Sequence, residues 1–164
     1  PIVNVALTWF GLFYTILPFG LLNFIATQNI HYNPEIILGY FILQWSSDTF
    51  AYLVGMTIGK KRLFERISPK KSWEGFIGGG LLTLVAGYAI AHFFHSLNTF
   101  DWMMISLIIV VTGTLGDLVE SLLKRTYQLK DSGNIIPGHG GILDRFDSLL
   151  FAIPFIWLYL NLMH

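Results

Sequence analysis

Long apolar stretches recur along the chain, and each has about the length of a membrane-spanning helix. A bilayer core about 30 Å thick needs roughly 20 apolar residues in a helix. The stretches run from about Ile2 to Ala26, Pro34 to Gly59, Glu74 to His95, Trp102 to Leu123 and Asp147 to Met163. Pro18 and Pro154 interrupt the first and the last of them. The pattern predicts an all-α polytopic membrane protein with about five spanning helices.

Basic residues occur in only two of the segments that connect these spans. All ten lysines and arginines are found there. They are Lys60, Lys61, Arg62, Arg66, Lys70 and Lys71, followed by Lys124, Arg125, Lys130 and Arg145. Because two crossings separate the two segments, both lie on one side of the membrane, and the positive-inside rule makes that side cytoplasmic. We therefore predict an integral protein of the inner (cytoplasmic) membrane whose basic loops, and any site that they border, face the cytoplasm.

The overall composition agrees with a membrane setting and narrows the chemistry. Of 164 residues, 54% are hydrophobic and 12% are charged, whereas soluble domains carry roughly 25% charged residues. The formal net charge is zero, which argues against a nucleic-acid partner. The absence of cysteine excludes disulfides and zinc–thiolate sites. These features predict one membrane-embedded domain over residues 1–164.

Acidic residues inside the predicted spans are arranged on helix faces. Spacings of i, i+3 and i+4 place side chains on one face. Such sets are Asp117, Glu120, Ser121 and Lys124 in the fourth span, and Asp144, Asp147 and Ser148 in the fifth. Carboxylates within a membrane are usually functional, and Mg²⁺ is commonly bound by one or two carboxylates with substrate phosphates. The alternative is structural, with ion pairs such as Asp117 with Lys124 or Glu120 with Arg125.

Glycine and proline are concentrated between the fourth and fifth spans, in the segment KDSGNIIPGHGG from Lys130 to Gly141. A loop of this kind can present backbone N–H groups to a phosphate. His139 is the one histidine on the predicted cytoplasmic side, which disfavours zinc. With carboxylates on both flanks, the loop indicates a site for phosphate and a hard cation.

The polar residues around this loop resemble the signature of the phosphatidate cytidylyltransferase (CDP-diacylglycerol synthase) family. The signature region, residues 121–147, contains Ser121-x-x-Lys124-Arg125, Lys130-Asp131, Pro137-x-His139-Gly140-Gly141 and Asp144-Arg145-x-Asp147. Upstream matches are Ser47-Asp48, Ser68-Pro69-Lys70-Lys71-Ser72-Trp73 and Gly116-Asp117. Family members are usually longer, with further spans before this region. Because the chain also begins at Pro1, we expect it to be the C-terminal part of a longer protein.

The resemblance implies transfer of CMP from CTP to phosphatidic acid, giving CDP-diacylglycerol and pyrophosphate. It implies Mg²⁺ as cofactor, a second monovalent cation, K⁺, and a homodimer in the lipid bilayer. The implied metal ligands are Asp117, Ser121, Asp144 and Asp147. The implied catalytic residues are Asp117, Asp144, Asp147, Lys124, Arg125 and His139. The implied substrate-binding residues are Asp48, Ser68, Lys70, Lys71, Trp73, Lys130, Asp131, Gly140, Gly141 and Arg145.

The sequence leaves the roles of several residues, and two alternative functions, open. His139 either acts as a base or holds the loop or a phosphate, and Asp131 either supports Lys130 or contacts the nucleotide. The basic segment over residues 60–71 either binds anionic lipid headgroups or contributes its lysines to the site, or does both. A related CTP-dependent lipid enzyme, such as a polyprenol kinase or an archaeal-type CDP-lipid synthase, is an alternative function. An ion-coupled transporter would also account for acids within the membrane.

Overall fold

Six α-helices and one short β-hairpin form the part of the chain that the structure describes. This structure, a computed structural model, describes residues 2–27, 32–128, 141 and 143–163. The helices are α1 Ile2–Ala26, α2 Glu35–Ile58, α3 Trp73–Ile90, α4 Thr99–Ile108, α5 Thr114–Thr126 and α6 Leu143–Met163. The antiparallel strands are β1 Arg62–Phe64 and β2 Ser68–Ser72, and a π-helical segment, Ile109–Gly113, joins α4 to α5. The predicted all-α membrane fold is confirmed, with the hairpin as a small addition.

Four helical segments among the described residues are long and apolar enough to cross a membrane. They are Asn4–Ala26, Trp73–Ile90, Thr99–Thr126 and Phe146–Met163. The remaining predicted span corresponds to α2, which has the length but is made more polar by Gln44 and Asp48. The third predicted span extends too far, because α3 ends at Ile90 and a turn follows. The last predicted span is confirmed, since the apolar stretch of α6 that could cross a membrane is Phe146–Met163, and the helix itself begins three residues earlier, at Leu143.

The apolar core lies where α2, α4 and α6 meet. Its most deeply buried members are Leu43, Trp102, Ile105, Ile109, Ile153, Ile156 and Leu160. Within this core the Tyr40 hydroxyl donates a hydrogen bond of 2.8 Å to the Leu149 carbonyl, which joins α2 to α6. Lipid tails are as apolar as these side chains, so close packing and hydrogen bonds hold the helices together in a bilayer.

Polar contacts join the helix ends that are remote from the hairpin. The Glu35 carboxylate, at the start of α2, accepts a hydrogen bond of 2.5 Å from the Ser96 hydroxyl in the turn between α3 and α4. Asn98 caps α4 by accepting from the Asp101 backbone N–H at 2.9 Å. The buried Asp101 carboxylate in turn accepts from the Tyr159 hydroxyl at 2.8 Å. These bonds satisfy helix-end groups and fix α2, α4 and α6 relative to one another.

Glycines allow α2 and α3 to approach each other backbone to backbone. A Cβ at Gly79 would lie 2.6 Å from both the Cα and the N of Ala51. A Cβ at Gly75 would lie 2.8 Å from the Ala51 carbonyl oxygen. Small residues at a helix crossing are the usual source of close contact between membrane helices. This crossing fixes the distance between Asp48 on α2 and the hairpin that precedes α3.

We expect Gly79→Ala to destabilise the protein by about 1–3 kcal/mol, because the added methyl group overpacks a backbone contact. Thermal unfolding in detergent measures the loss. Gly11→Ala on α1 is the matched control, since no atom of the described residues, apart from the adjacent backbone of α1 itself, lies within 4 Å of a Cβ built there, and alanine is the better helix former. Equal unfolding temperatures for Gly79→Ala and wild type would contradict the packing described for α2 and α3.

Candidate functional site

A cavity of about 890 Å³ lies between α2, the hairpin, α5 and the start of α6. Among the described residues, its wall contains four carboxylates and four basic side chains. The acids are Asp48, Asp117, Asp144 and Asp147, and the bases are Arg62, Lys70, Lys71 and Lys124. A concave site with convergent groups of both charges suits a ligand that carries phosphates and a divalent cation.

The π-helical segment before α5 contributes to the orientation of the acids on α5. A π turn contains one more residue than an α turn, so it rotates the residues that follow relative to α4. Ile109, Gly113, Thr114 and Asp117 all line the cavity. The sequence predicts one regular helix over this stretch, and the rotation is a feature that only the structure reveals.

Three acidic side chains from α5 and α6 form a compact cluster. Asp117, Glu120 and Asp147 each offer one carboxylate oxygen, and these oxygens lie within 4.8 Å of one another. The two helices meet closely at Gly116, where a Cβ would lie 2.9 Å from the Asp147 carbonyl oxygen. Glu120 and Asp147 are buried. Carboxylates held this close need compensating positive charge.

The hairpin supplies one compensating charge through Lys71, the penultimate residue of β2. The next residue, Ser72, caps α3 by accepting a hydrogen bond of 3.1 Å from the Gly75 backbone N–H. This cap fixes the end of β2 against the start of α3. The Lys71 ammonium then extends into the cavity and forms an ion pair with Asp117. The hairpin and α5 are thus joined across the cavity by an ion pair.

Lys124 supplies a second compensating charge and bridges two carboxylates. Its Nζ lies 2.5 Å from Glu120 Oε2 and 2.7 Å from Asp144 Oδ1. The other oxygen of Asp144 accepts a hydrogen bond of 2.8 Å from the Gly141 backbone N–H. The structural ion pair suggested by the sequence, Asp117 with Lys124, is replaced by Asp117 with Lys71. Lys124 therefore pairs with Glu120 on its own helix face and also connects α5 to Asp144 at the start of α6.

Asp48 faces the same cavity from α2. Its two carboxylate oxygens each lie 3.4 Å from Gln44 Nε2, one turn earlier on the helix. A smaller cavity of about 220 Å³ adjoins the first one at this point. Its wall combines Phe41, Trp45, Phe146 and Leu149 with Gln44, Asp48 and Ser148. The charged site thus continues into a mostly apolar recess between α2 and α6.

Several residues that the sequence suggested for the site do not line the cavity or lie outside the described residues. Ser68, Trp73, Ser121 and Arg125 lie outside the part of the cavity wall that described residues form. Ser121 is still adjacent to the site, because its hydroxyl lies 3.4 Å from Asp117 Oδ1. Lys130, Asp131, His139, Gly140 and the side chain of Arg145 lie outside the described residues.

Three residues near the cavity were missing from the sequence-based site. Glu120 shares the face of Asp117 and was noted only for that pattern, although it contributes to the acidic cluster. Gln44 precedes Asp48 by one helical turn, and a polar residue inside an apolar span is a signal that could have identified it. Arg62 lines the cavity only because β1 pairs with β2, which a three-residue strand does not reveal in sequence.

The chain matches known proteins along nearly its whole length. The cytidylyltransferase family matches residues 1–163. The chain belongs to this family. Among curated relatives, the phosphatidate cytidylyltransferase of Bacillus subtilis is 46% identical over 145 residues, which are 85% of this chain and 52% of that protein. The phosphatidate cytidylyltransferase of Haemophilus influenzae is 42% identical over 153 residues, 87% of this chain and 53% of that protein.

The resemblance noted from the signature residues is therefore confirmed. The chain spans about half the length of the curated cytidylyltransferases that it matches. The described cavity lies between segments that contain the motifs of the resemblance, from Asp48 on α2 to Asp147 on α6.

We expect Lys124→Met to destabilise the protein by about 3 kcal/mol, because it leaves two carboxylates in a buried setting without their shared cation. Thermal unfolding in detergent, in buffer without divalent cations, measures the change. Lys60→Met is the matched control, since Lys60 is exposed and lies outside this cluster. The double variant Lys124→Met/Glu120→Gln should regain part of the stability. A loss no larger than that of Lys60→Met would contradict the bridging role.

Proposed function

We propose that the protein transfers CMP from CTP to phosphatidic acid at the cytoplasmic face of the membrane, giving CDP-diacylglycerol and pyrophosphate. One membrane-embedded catalytic domain, residues 1–164, would carry this activity. The observation that supports it most directly is the cavity in which cations of the hairpin and α5 lie next to carboxylates of α2, α5 and α6. The relatives are phosphatidate cytidylyltransferases, which supports the choice of phosphatidate as acceptor.

The basic side chains of the cavity wall suit the triphosphate of CTP. Arg62 can contact phosphate oxygens with two parallel N–H groups, and lysines act as compact charges. Lys71 and Lys124 are already held by carboxylates, so their positions are set before any ligand binds. Positions that are set in advance lower the entropy lost when the ligand binds.

The residues of the acidic cluster fit Mg²⁺. Asp117, Glu120 and Asp147 offer oxygen ligands only, which is what this hard cation prefers. Gln44 Oε1, which is buried beside the cavity, has no hydrogen-bond partner among the described residues. When bound, Mg²⁺ would neutralise charge on the triphosphate and on the leaving pyrophosphate. K⁺ as a second cation and the homodimer stay predictions from the family resemblance.

The reaction needs positioning and charge compensation more than proton transfer. An oxygen of the phosphatidate phosphate forms a bond to the α-phosphorus of CTP, and the bond from that phosphorus to the α–β bridging oxygen breaks. The electron pair leaves with pyrophosphate. The attacking monoester has a second pKa of about 6, by analogy with phosphomonoesters on proteins, so it is largely ionised at neutral pH. Lys70, Lys71 and Lys124 then serve to hold the two anions together.

The two substrates differ in solubility, and the two adjoining cavities differ correspondingly in polarity. CTP is a soluble polyanion, and the hairpin with its exposed cations borders the larger cavity. Phosphatidate has acyl chains in the bilayer, and the smaller recess with Phe41, Trp45 and Phe146 is mostly apolar. We therefore place the acyl chains of the lipid toward the smaller recess and its phosphate in the larger cavity, whose wall carries the basic side chains.

An assay with CTP labelled at the α-phosphate, phosphatidate and Mg²⁺ in detergent micelles tests the proposal. We expect the label in the lipid product and one pyrophosphate released for each lipid formed. Asp117→Asn should lower turnover about a hundredfold or more, as loss of one preorganised electrostatic group does. A phosphorylated lipid with labelled CDP in solution would instead identify a CTP-dependent kinase and overturn the proposal.

Measurements of metal binding distinguish two sets of ligands. The acidic cluster includes Glu120, whereas the set implied by the resemblance includes Asp144 instead. We expect Glu120→Gln to weaken Mn²⁺ binding at least tenfold, measured by the paramagnetic resonance of free Mn²⁺. Asp144→Asn should have a smaller effect, because Asp144 is bound by Lys124 and the Gly141 N–H. Glu65→Gln, on the hairpin and outside the cavity wall, is the control. The reverse order of effects would favour Asp144 over Glu120 as a ligand.

A further inference from the structure

The hairpin between α2 and α3 is the most basic segment among the described residues, and the proposed reaction uses only half of its cations. Residues 60–71 contain six basic side chains and one acidic one, Glu65. Arg62, Lys70 and Lys71 belong to the cavity wall. The remaining cations are Lys60, Lys61 and Arg66, all exposed. These three, which we call the outer cations, form no ion pair with a carboxylate of the described residues.

The hairpin is held in place by contacts that leave the outer cations turned outwards. The Glu74 carboxylate, in the first turn of α3, accepts hydrogen bonds of 3.1 Å from the backbone N–H groups of Lys60 and Lys61. The Trp73 N–H donates to the Lys61 carbonyl at 2.9 Å. The Glu74 carboxylate thus binds backbone N–H groups of this segment, while the side chains of Lys60 and Lys61 remain exposed. The arrangement presents positive charge on a fixed scaffold.

The depth of the hairpin follows from its neighbours in the chain. The candidate membrane span of α3 begins at Trp73, directly after β2. Trp73 is 47% exposed, and Phe64, at the end of β1, is 48% exposed. Tryptophan is enriched at the level of lipid headgroups, and the exposed Phe64 side chain offers apolar area at the end of the neighbouring strand. The outer cations therefore lie where the headgroups of the inner leaflet would be.

We propose that the outer cations and Phe64 form a binding surface for anionic phospholipid headgroups beside the mouth of the cavity. Each basic side chain near an anionic bilayer raises the affinity roughly fivefold, and salt screens the attraction. The surface requires neither CTP nor transfer chemistry, so this proposal is independent of the proposed function. Its partner is the anionic bilayer surface, including lipids that are not substrates.

The absence of cysteine makes a direct test practical. Phe64→Cys introduces a unique thiol, and an environment-sensitive apolar fluorophore attached there takes the place of the aromatic side chain. The labelled protein is reconstituted in phosphatidylcholine vesicles with increasing fractions of phosphatidylglycerol. We expect a blue shift of the emission that saturates with phosphatidylglycerol and is reversed by salt near 1 M, where the Debye length is about 3 Å.

Charge variants decide whether the outer cations cause the shift. Lys60→Gln/Lys61→Gln/Arg66→Gln should require a higher fraction of phosphatidylglycerol for half of the shift, with an affinity at a given fraction that is at least about fivefold lower, the effect expected for even one lost cation. Glu65→Gln, in the same hairpin, should require less, because it adds net positive charge. All variants are compared after their unfolding temperatures are shown to match. A triple variant that follows the unmodified curve, or a shift produced by CTP with Mg²⁺ and not by phosphatidylglycerol, would overturn the proposal.

Discussion

Compensation of carboxylate charge between helices is the constraint on which the site depends. Asp117, Glu120 and Asp147 lie too close together to remain ionised in a poorly solvated setting without cations. The cations come from other segments, since Lys71 reaches Asp117 from the hairpin, and Lys124 joins Glu120 to Asp144 at the start of α6. The same ion pairs that neutralise the cluster therefore hold the hairpin, α5 and α6 around one cavity.

That electrostatic arrangement requires helices that approach one another closely. Gly116 lets α5 contact the backbone of α6 beside Asp147, and Gly79 lets α3 contact the backbone of α2 at Ala51. A larger residue at Gly116 would move Lys124 on α5 away from Asp144 on α6. One at Gly79 would move α3, and the hairpin with Lys71 that precedes it, away from Asp48 on α2. Coulomb attraction falls with distance, so the close backbone approach at two glycines determines how well the charges compensate each other.

Much of the fold follows from residue periodicity, while the pairing of charges does not. The bounds of α1 and the shared face of Asp117 and Glu120 were evident because apolar runs and helical spacing are local properties. The partner of Asp117 could not be identified from the sequence, because Lys71 lies 46 positions earlier and reaches Asp117 only through the β1–β2 hairpin. The π-helical turn before α5 was equally hidden, because no residue type marks it in sequence. Local order was predictable here, and contacts between distant segments were not.

The two lysines differ in how much binding capacity they retain for a substrate. An ammonium group has three N–H donors. Lys124 directs two of them at Glu120 and Asp144, so it can add one phosphate oxygen without releasing either carboxylate. Lys71 is paired with Asp117, so it keeps more capacity for phosphate. Lys124 therefore keeps one N–H donor for a phosphate oxygen, and Lys71 keeps two.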